Sequence, residues 1–184
     1  TTANNCTAIG ADALTTNTAS GNTAVGNEAL KLNTTGAGNV AVGKNALLSN
    51  TTGNYNISVG QNSLDANTTA SNNTAIGHEA LTANTTGAQN DAFGAFALDA
   101  NTTATGNCAI GNLALNACTT ANYNTAVGGN SLDASTTGAE NTGVGYNALT
   151  SVTTSGYNVA MGVNALRYNT AAQNTALGHA SSMN

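Results

Sequence analysis

The sequence predicts an all-β chain folded as a parallel β-solenoid, or β-roll, of about eleven coils of 17 residues. Three observations carry that expectation. A glycine-centred segment recurs at nearly fixed spacing, each position of the recurring unit keeps its own chemistry, and the unit is too short for a helix pair.

The origin glycines are Gly10, Gly26, Gly43, Gly60, Gly77, Gly94, Gly111, Gly128, Gly145, Gly162 and Gly178, spaced by 16, then by 17 eight times, then by 16. A period held that strictly is the mark of a stacked architecture in which each unit contacts only its neighbours. The chain, 1–184, therefore reads as one repeat domain with irregular end coils over about 1–21 and 174–184.

Within the unit, Asn-Thr-Ala-Val leads into the glycine and reads as a short strand. The residue before the glycine is always apolar, from Ile9 and Val25 through Phe93 to Met161 and Leu177, and the one before that is small: Ala, Ser58 or Gly143. Glycine and its successors form a turn. Ala-Leu or Ser-Leu then opens a second short stretch, with Leu14, Leu30 and their equivalents to Leu166, and Ser182 in the last unit. A second Asn column (Asn17, Asn33, Asn50, Asn67, Asn84, Asn101, Asn169) and paired threonines such as Thr34-Thr35 and Thr136-Thr137 make the returning corner. Asn and Gly tolerate left-handed backbone there at low cost, whereas Asn-Thr-Thr-Gly is a poor helix former.

One unit is thus one coil, pairing with the next at about 4.8 Å. Stacking places like residues above one another. The Val/Ile and Leu columns are expected to fill a thin lumen, and the Asn columns to form amide ladders along the axis. Two large apolar residues per coil bury little area. Self-association would supply more, and the small columns before Val and before Leu would let another layer approach closely. Asp91, in place of Thr three residues before Gly94, marks its column as a wet rim.

Composition narrows the partners. Charged residues are 6% of the chain, Pro and Trp are absent, and the net charge is -5. The three basic residues, Lys31, Lys44 and Arg167, cannot track a phosphate backbone or an anionic membrane. There is no run of about 20 apolar residues to cross a bilayer as a helix, so no membrane insertion by this segment is expected. The chain opens at Thr1 with neither Met nor a signal-like stretch, which suits a mature product or the ordered part of something longer.

The segments Asn22-Thr-Ala-Val-Gly26, Asn39-Val-Ala-Val-Gly43 and Asn73-Thr-Ala-Ile-Gly77 resemble head repeats of trimeric autotransporter adhesins. The fuller unit, Asn-Thr-Ala-Val-Gly-x-x-Ala-Leu-x-x-Asn-Thr-Thr-Gly, is more similar still to repeat arrays of bacteriophage tail fibres and related bacterial surface proteins. The resemblance covers nearly the whole chain. It implies a left-handed roll, three chains side by side, and an extracellular place on a cell or virion surface. It also implies a structural or adhesive role, with a host or cell-surface glycan or protein as partner. The 17-residue period is longer than that of adhesin heads, and no heptad stalk, anchor strands or chaperone domain accompany it.

No candidate catalytic, cofactor-binding or metal residues emerge. Asp65, Asp99 and Asp133 stand five residues after their glycines in alternate coils. They would lie about 10 Å apart, too far to share an ion whose oxygen ligands sit at about 2.3–2.6 Å. A solvated edge that limits aggregation is expected instead. His78 and His179 each follow a glycine singly and read as exposed turn residues. Tyr55, Tyr123 and Tyr157 precede Asn-column residues at a corner, where rings pack locally or contact sugars or a neighbouring chain, while Tyr146 and Tyr168 lie elsewhere. Cys6, Cys108 and Cys118 form no CxxC pair and are expected to be small buried or half-buried side chains, with a Cys108–Cys118 bridge left open. Asn-x-Ser/Thr sequons at Asn33, Asn50 and Asn84 arise from the repeat itself.

The expected role is a non-enzymatic fibre module that forms a rigid rod and presents or spaces binding surfaces. A self-assembling extracellular filament is the alternative, with Cys6, Ser182 and the 16-residue end spacings as caps or docking ends. An ice-binding solenoid is a third, weakened because adjacent threonines point to opposite faces.

Overall fold

A computed structural model describes residues 3–181. Ser182 and the last residues of the expected end coil lie outside the described residues. One strand of three residues marks each coil: β1 Thr7–Ile9, β2 Thr23–Val25, β3 Val40–Val42, β4 Ile57–Val59, β5 Thr74–Ile76, β6 Asp91–Phe93, β7 Cys108–Ile110, β8 Thr125–Val127, β9 Thr142–Val144, β10 Val159–Met161 and β11 Thr175–Leu177. They form one parallel 11-stranded sheet in chain order. The fold is a parallel β-solenoid, as the period requires. Ten inter-strand steps of about 4.8 Å make the sheet about 48 Å long.

Register is set by the repeat. Ala24 stands opposite Ala41 and Val25 opposite Val42, and the same offset of 17 runs through the central pairs. Backbone bonding continues beyond the strands. Val40 N donates to Asn56 O at 2.9 Å, Leu47 N to Ser63 O at 3.0 Å and Thr51 N to Thr68 O at 2.8 Å, while Gly43 N reaches back to Val25 O at 2.8 Å. Each coil is therefore tied to both neighbours around its circuit.

The turn after each strand is tighter than expected. Ala-Leu is not a second extended stretch. Leu30, Leu47 and Leu64 have φ of 51°, 55° and 50°, and the residues two before them, such as Glu28, Asn45 and Asn62, are left-handed as well. L-residues pay for that conformation with about 1–2 kcal/mol each, and complete burial of the leucine side chains offsets it. The origin glycine is obligatory: Gly43 has φ 137°, and a Cβ there would stand 2.5 Å from Gly60 O.

The lumen overturns one expectation. Val25, Val42, Val59 and their equivalents point outward, with Phe93 and Ile110 counted among the exposed large side chains, while Ala24, Ala41, Ser58 and Ala75 are fully buried. The small columns before Val and before Leu are thus the lumen wall, and they are not free to meet another layer. A strand alternates its faces, so burying Ala in Thr-Ala-Val sends Thr and Val out together. The reason is width. The tight left-handed turn carries Leu across a narrow interior, and only a methyl, hydroxymethyl or hydrogen fits opposite; Ser58 fits by bonding to the Ser63 hydroxyl and carbonyl.

The other half of the interior is amide. Nδ2 of Asn50, Asn67, Asn84 and Asn101 each donates to Oδ1 of the Asn one coil earlier at 2.7–3.0 Å. A second ladder runs alongside, in which Asn39 N donates to Asn22 Oδ1 and Asn39 Nδ2 to Gly53 O. These side chains are fully buried, so their bonds matter more than surface ones. The ladder breaks where Cys118, Ser135 and Val152 replace Asn. Asn101 Oδ1 and Asn124 Nδ2 are left buried without partners around that break.

Three outcomes test this interior. Ala75→Leu should lower stability by about 1–3 kcal/mol through overpacking, whereas Ile76→Phe should be accepted, because the outward column already carries Phe93; equal losses in thermal unfolding would place the lumen wrongly. Leu81→Asp should prevent folding, since a charge there meets only apolar and amide neighbours. Asn84→Ala should cost about 2–3 kcal/mol in denaturant unfolding, because Asn67 Oδ1 loses its donor.

Candidate functional site

With the interior filled by the repeat, the chemistry lies on the outer columns. The outward strand face carries two of them. One is the aliphatic ladder, in which Ile76, Phe93, Ile110 and Met161 are exposed. The other, two residues earlier along each strand, mixes Thr23, Val40, Thr74, Asp91, Cys108 and Thr125. Asp91 is exposed there, as expected of a wet rim. Side-chain size points this column to the lumen in the sequence, yet the fold turns it outward. A column that accepts Phe and Met beside Val was the available signal of an outer position.

At the corner the two threonine columns divide. The first spends its hydroxyls inward along the axis: Thr51 Oγ1 donates to Thr68 O at 3.0 Å and Thr85 Oγ1 to Thr102 O at 3.0 Å. The second, Thr52, Thr69, Thr86 and Thr103 among them, is exposed. One threonine column faces water, as expected. The sequon asparagines Asn33, Asn50 and Asn84 are fully buried with Nδ2 committed to the ladder, so the folded coil offers none of the three for glycosylation.

Asp65, Asp99 and Asp133 are not a freely solvated edge. They are half-buried, and Asp65 Oδ1 is enclosed without a hydrogen-bond partner. Burial pushes all three carboxyls above the usual range, helped at Asp65 by the Glu28 charge and at Asp99 by that of Glu79. Among the described residues no three His, Cys, Asp or Glu side chains come together to hold a metal. His78 and His179 are exposed; His78 lies edge-on to the Phe96 ring at 5.2 Å and 3.5 Å from Glu79. The cysteines are free, with Cys6 exposed against expectation, Cys108 half-buried on the outer strand face and Cys118 buried in the lumen. Lumen burial raises the Cys118 thiol to about 11. The two cannot bridge from opposite sides of the wall.

The tyrosines stand out at the corner. Tyr55, Tyr123 and Tyr157 are 67%, 64% and 60% exposed and left-handed, with φ of 57°, 61° and 62°. Gly38 and Gly106 lie one coil below Tyr55 and Tyr123. A Cβ on either glycine would come within 2.8 Å of the tyrosine Cδ1, so each ring rests one edge against the preceding coil where the glycine leaves room. Tyr157 instead follows Glu140 in its column.

No family profile, curated protein or solved structure matches this chain. Its function is therefore argued from the surface itself.

The carboxylate column makes a pH prediction. A carboxyl with a raised folded pKa binds its proton more tightly folded than unfolded, so stability falls as pH rises from the ordinary carboxylate value through the raised one. Replacing Asp65, Asp99 and Asp133 together by Asn should raise the thermal midpoint at pH ~7 more than at pH ~4. An equal effect at both would show the three carboxyls to be fully solvated.

Proposed function

We propose that the chain is a non-catalytic structural and adhesive rod, a module of an extracellular fibre on a cell or virion surface, that associates side by side with copies of itself. The observation that carries this reading is the continuous aliphatic ladder on the outer strand face. Its length of about 48 Å and width of about 10 Å give an apolar stripe on the order of 500 Å², at the upper end of what monomers leave in water. Val59, Ile76, Phe93 and Ile110 form its middle, four successive coils with no charge in that column.

A second copy suits the stripe in two ways. Its ridges repeat at the same coil spacing, so side chains of two sheets interlock along the whole length. Asp91 and the threonines beside the ladder would form a polar rim, the arrangement common to stable interfaces. Three such faces around one axis, the number implied by the resemblance to adhesin heads, would close the stripe away from water. The open sheet edges at β1 and β11 support the alternative of an end-to-end filament.

Light scattering on the purified 18.0 kDa chain tests both. A discrete particle of three chains is expected, converted to single chains by Ile76→Glu and left intact by Thr86→Glu. A stable single chain at micromolar concentration would overturn association, dissociation by Thr86→Glu would move the contact to the corner, and open-ended growth would favour the filament.

A further inference from the structure

We infer that Tyr55 and Tyr123 are two equivalent stacking platforms for an uncharged glycan. This rests on the reading of the rod as a presenter of binding surfaces and names the ligand class for one of them.

The argument begins with cost. The tyrosine column is left-handed in every coil for which it is described, and five of its eleven members are Gly or Asn, which suit that conformation. A tyrosine there is strained, and at 67% and 64% exposure it recovers little by burial. Folding therefore gives no reason for either ring. Each nonetheless has a prepared seat: a Cβ on Gly38 or Gly106 would collide with the Cδ1–Cε1 edge of the ring, so the glycine makes room for it. With one edge against the glycine, most of each tyrosine stays in water.

The seats agree in a second feature. Asn54 Oδ1 accepts from Ala37 N at 2.8 Å, and Asn122 Oδ1 accepts from Thr105 N at 2.7 Å. These bonds fix the side chains of the residues that immediately precede the two tyrosines and leave each Nδ2 without an acceptor among the described residues. The result, at two places four coils apart, is an open aromatic face next to a fixed amide donor. Tyr157 has neither part, since Gly156 precedes it and Glu140 occupies the coil below.

A flat apolar face bordered by hydroxyl acceptors is what this combination takes, and a hexopyranose presents one through its axial C–H bonds. A nucleobase would also stack, but its phosphate needs cations, and Lys31, Lys44 and Arg167 are the chain's only basic residues. Exposed Glu140, one coil beyond Tyr123 in the same column, likewise disfavours an anionic sugar. The platforms are about 19 Å apart along the axis, so a linear oligosaccharide that reached both would gain from avidity.

The test is a titration of the full chain, carrying ¹³C-labelled tyrosine rings, with cellohexaose and separately with lactose, followed by NMR. Saturable shifts at Tyr55 and Tyr123 with at least one of the sugars, and none at Tyr146, Tyr157 or Tyr168, are expected. Tyr55→Ala with Tyr123→Ala should abolish binding, Tyr157→Ala should leave it unchanged, and Asn54→Ala should weaken the Tyr55 site alone by roughly tenfold. Absence of saturable shifts with both sugars at millimolar concentration overturns the proposal, as do equal shifts of all five rings. Shielding of Tyr55 and Tyr123 that follows protein concentration and ignores sugar also overturns it, and assigns the rings to chain–chain contact. Particle mass by light scattering is read on the same samples, so loss of sugar binding with mass unchanged leaves the rod reading standing.

Discussion

Everything in this chain follows from one constraint: each coil is hydrogen-bonded in register to the next, so whatever occupies a column must tolerate a copy of itself about 4.8 Å away. Amides meet the condition by donating upward and accepting downward. Threonine hydroxyls meet it by bonding to the next coil's carbonyl, and alanine, leucine and valine meet it by contact alone. Charges do not, since like charges directly stacked repel. The low charged content of 6% is the consequence, as is the spacing of Asp65, Asp99 and Asp133 in alternate coils. Proline is missing for a related reason, because it brings no N–H to a circuit in which backbone N–H groups of strands and turns alike reach the neighbouring coils.

The same constraint explains what could be read from the residues. The 17-residue period alone fixes a stack, its register and its parallel sheet, because no other arrangement keeps the glycines aligned. Inside and outside were harder. Thr-Ala-Val is three residues of strand, too short for alternation to identify a face by itself, and the larger side chain was the natural choice for the lumen. The turn decided otherwise. Left-handed leucines, a conformation their residue type does not advertise, narrow the interior until only Ala, Ser or Gly fits opposite. Variation within a column was the better guide: Ala, Ser58 and Gly143 on one side of the peptide, but Ile, Val, Phe93, Met161 and Leu177 on the other. A packed column restricts volume, whereas an outer column restricts only polarity.

Breaks in the ladders show what happens when a column fails to match itself. Cys118 sits in an amide column and offers Asn101 Oδ1 nothing, while Ser135 bonds Gly138 O through its hydroxyl and leaves Asn124 Nδ2 unpaired. Val152 completes the gap with a fully buried aliphatic group. This stretch exchanges amide bonding for apolar packing and leaves two buried polar atoms without partners.

Function has to be written where stacking leaves freedom, and the corner tyrosines illustrate how. An inner column cannot vary without leaving an unpaired amide or a void, so specificity cannot reside there. The column of Tyr55 faces water and already requires left-handed backbone, which lets Gly, Asn, Gln, Glu and Tyr alternate along the axis without disturbing the stack. A ring in that column still has to lie somewhere, and a glycine one coil below gives it a bed that Glu140 denies to Tyr157. The rod thus separates its tasks by direction. Inward residues hold one coil to the next, the strand face carries a continuous apolar stripe, and the corner carries discrete groups whose spacing is counted in coils. A surface built that way can exchange its outward groups at positions 17 apart while the interior stays as it is.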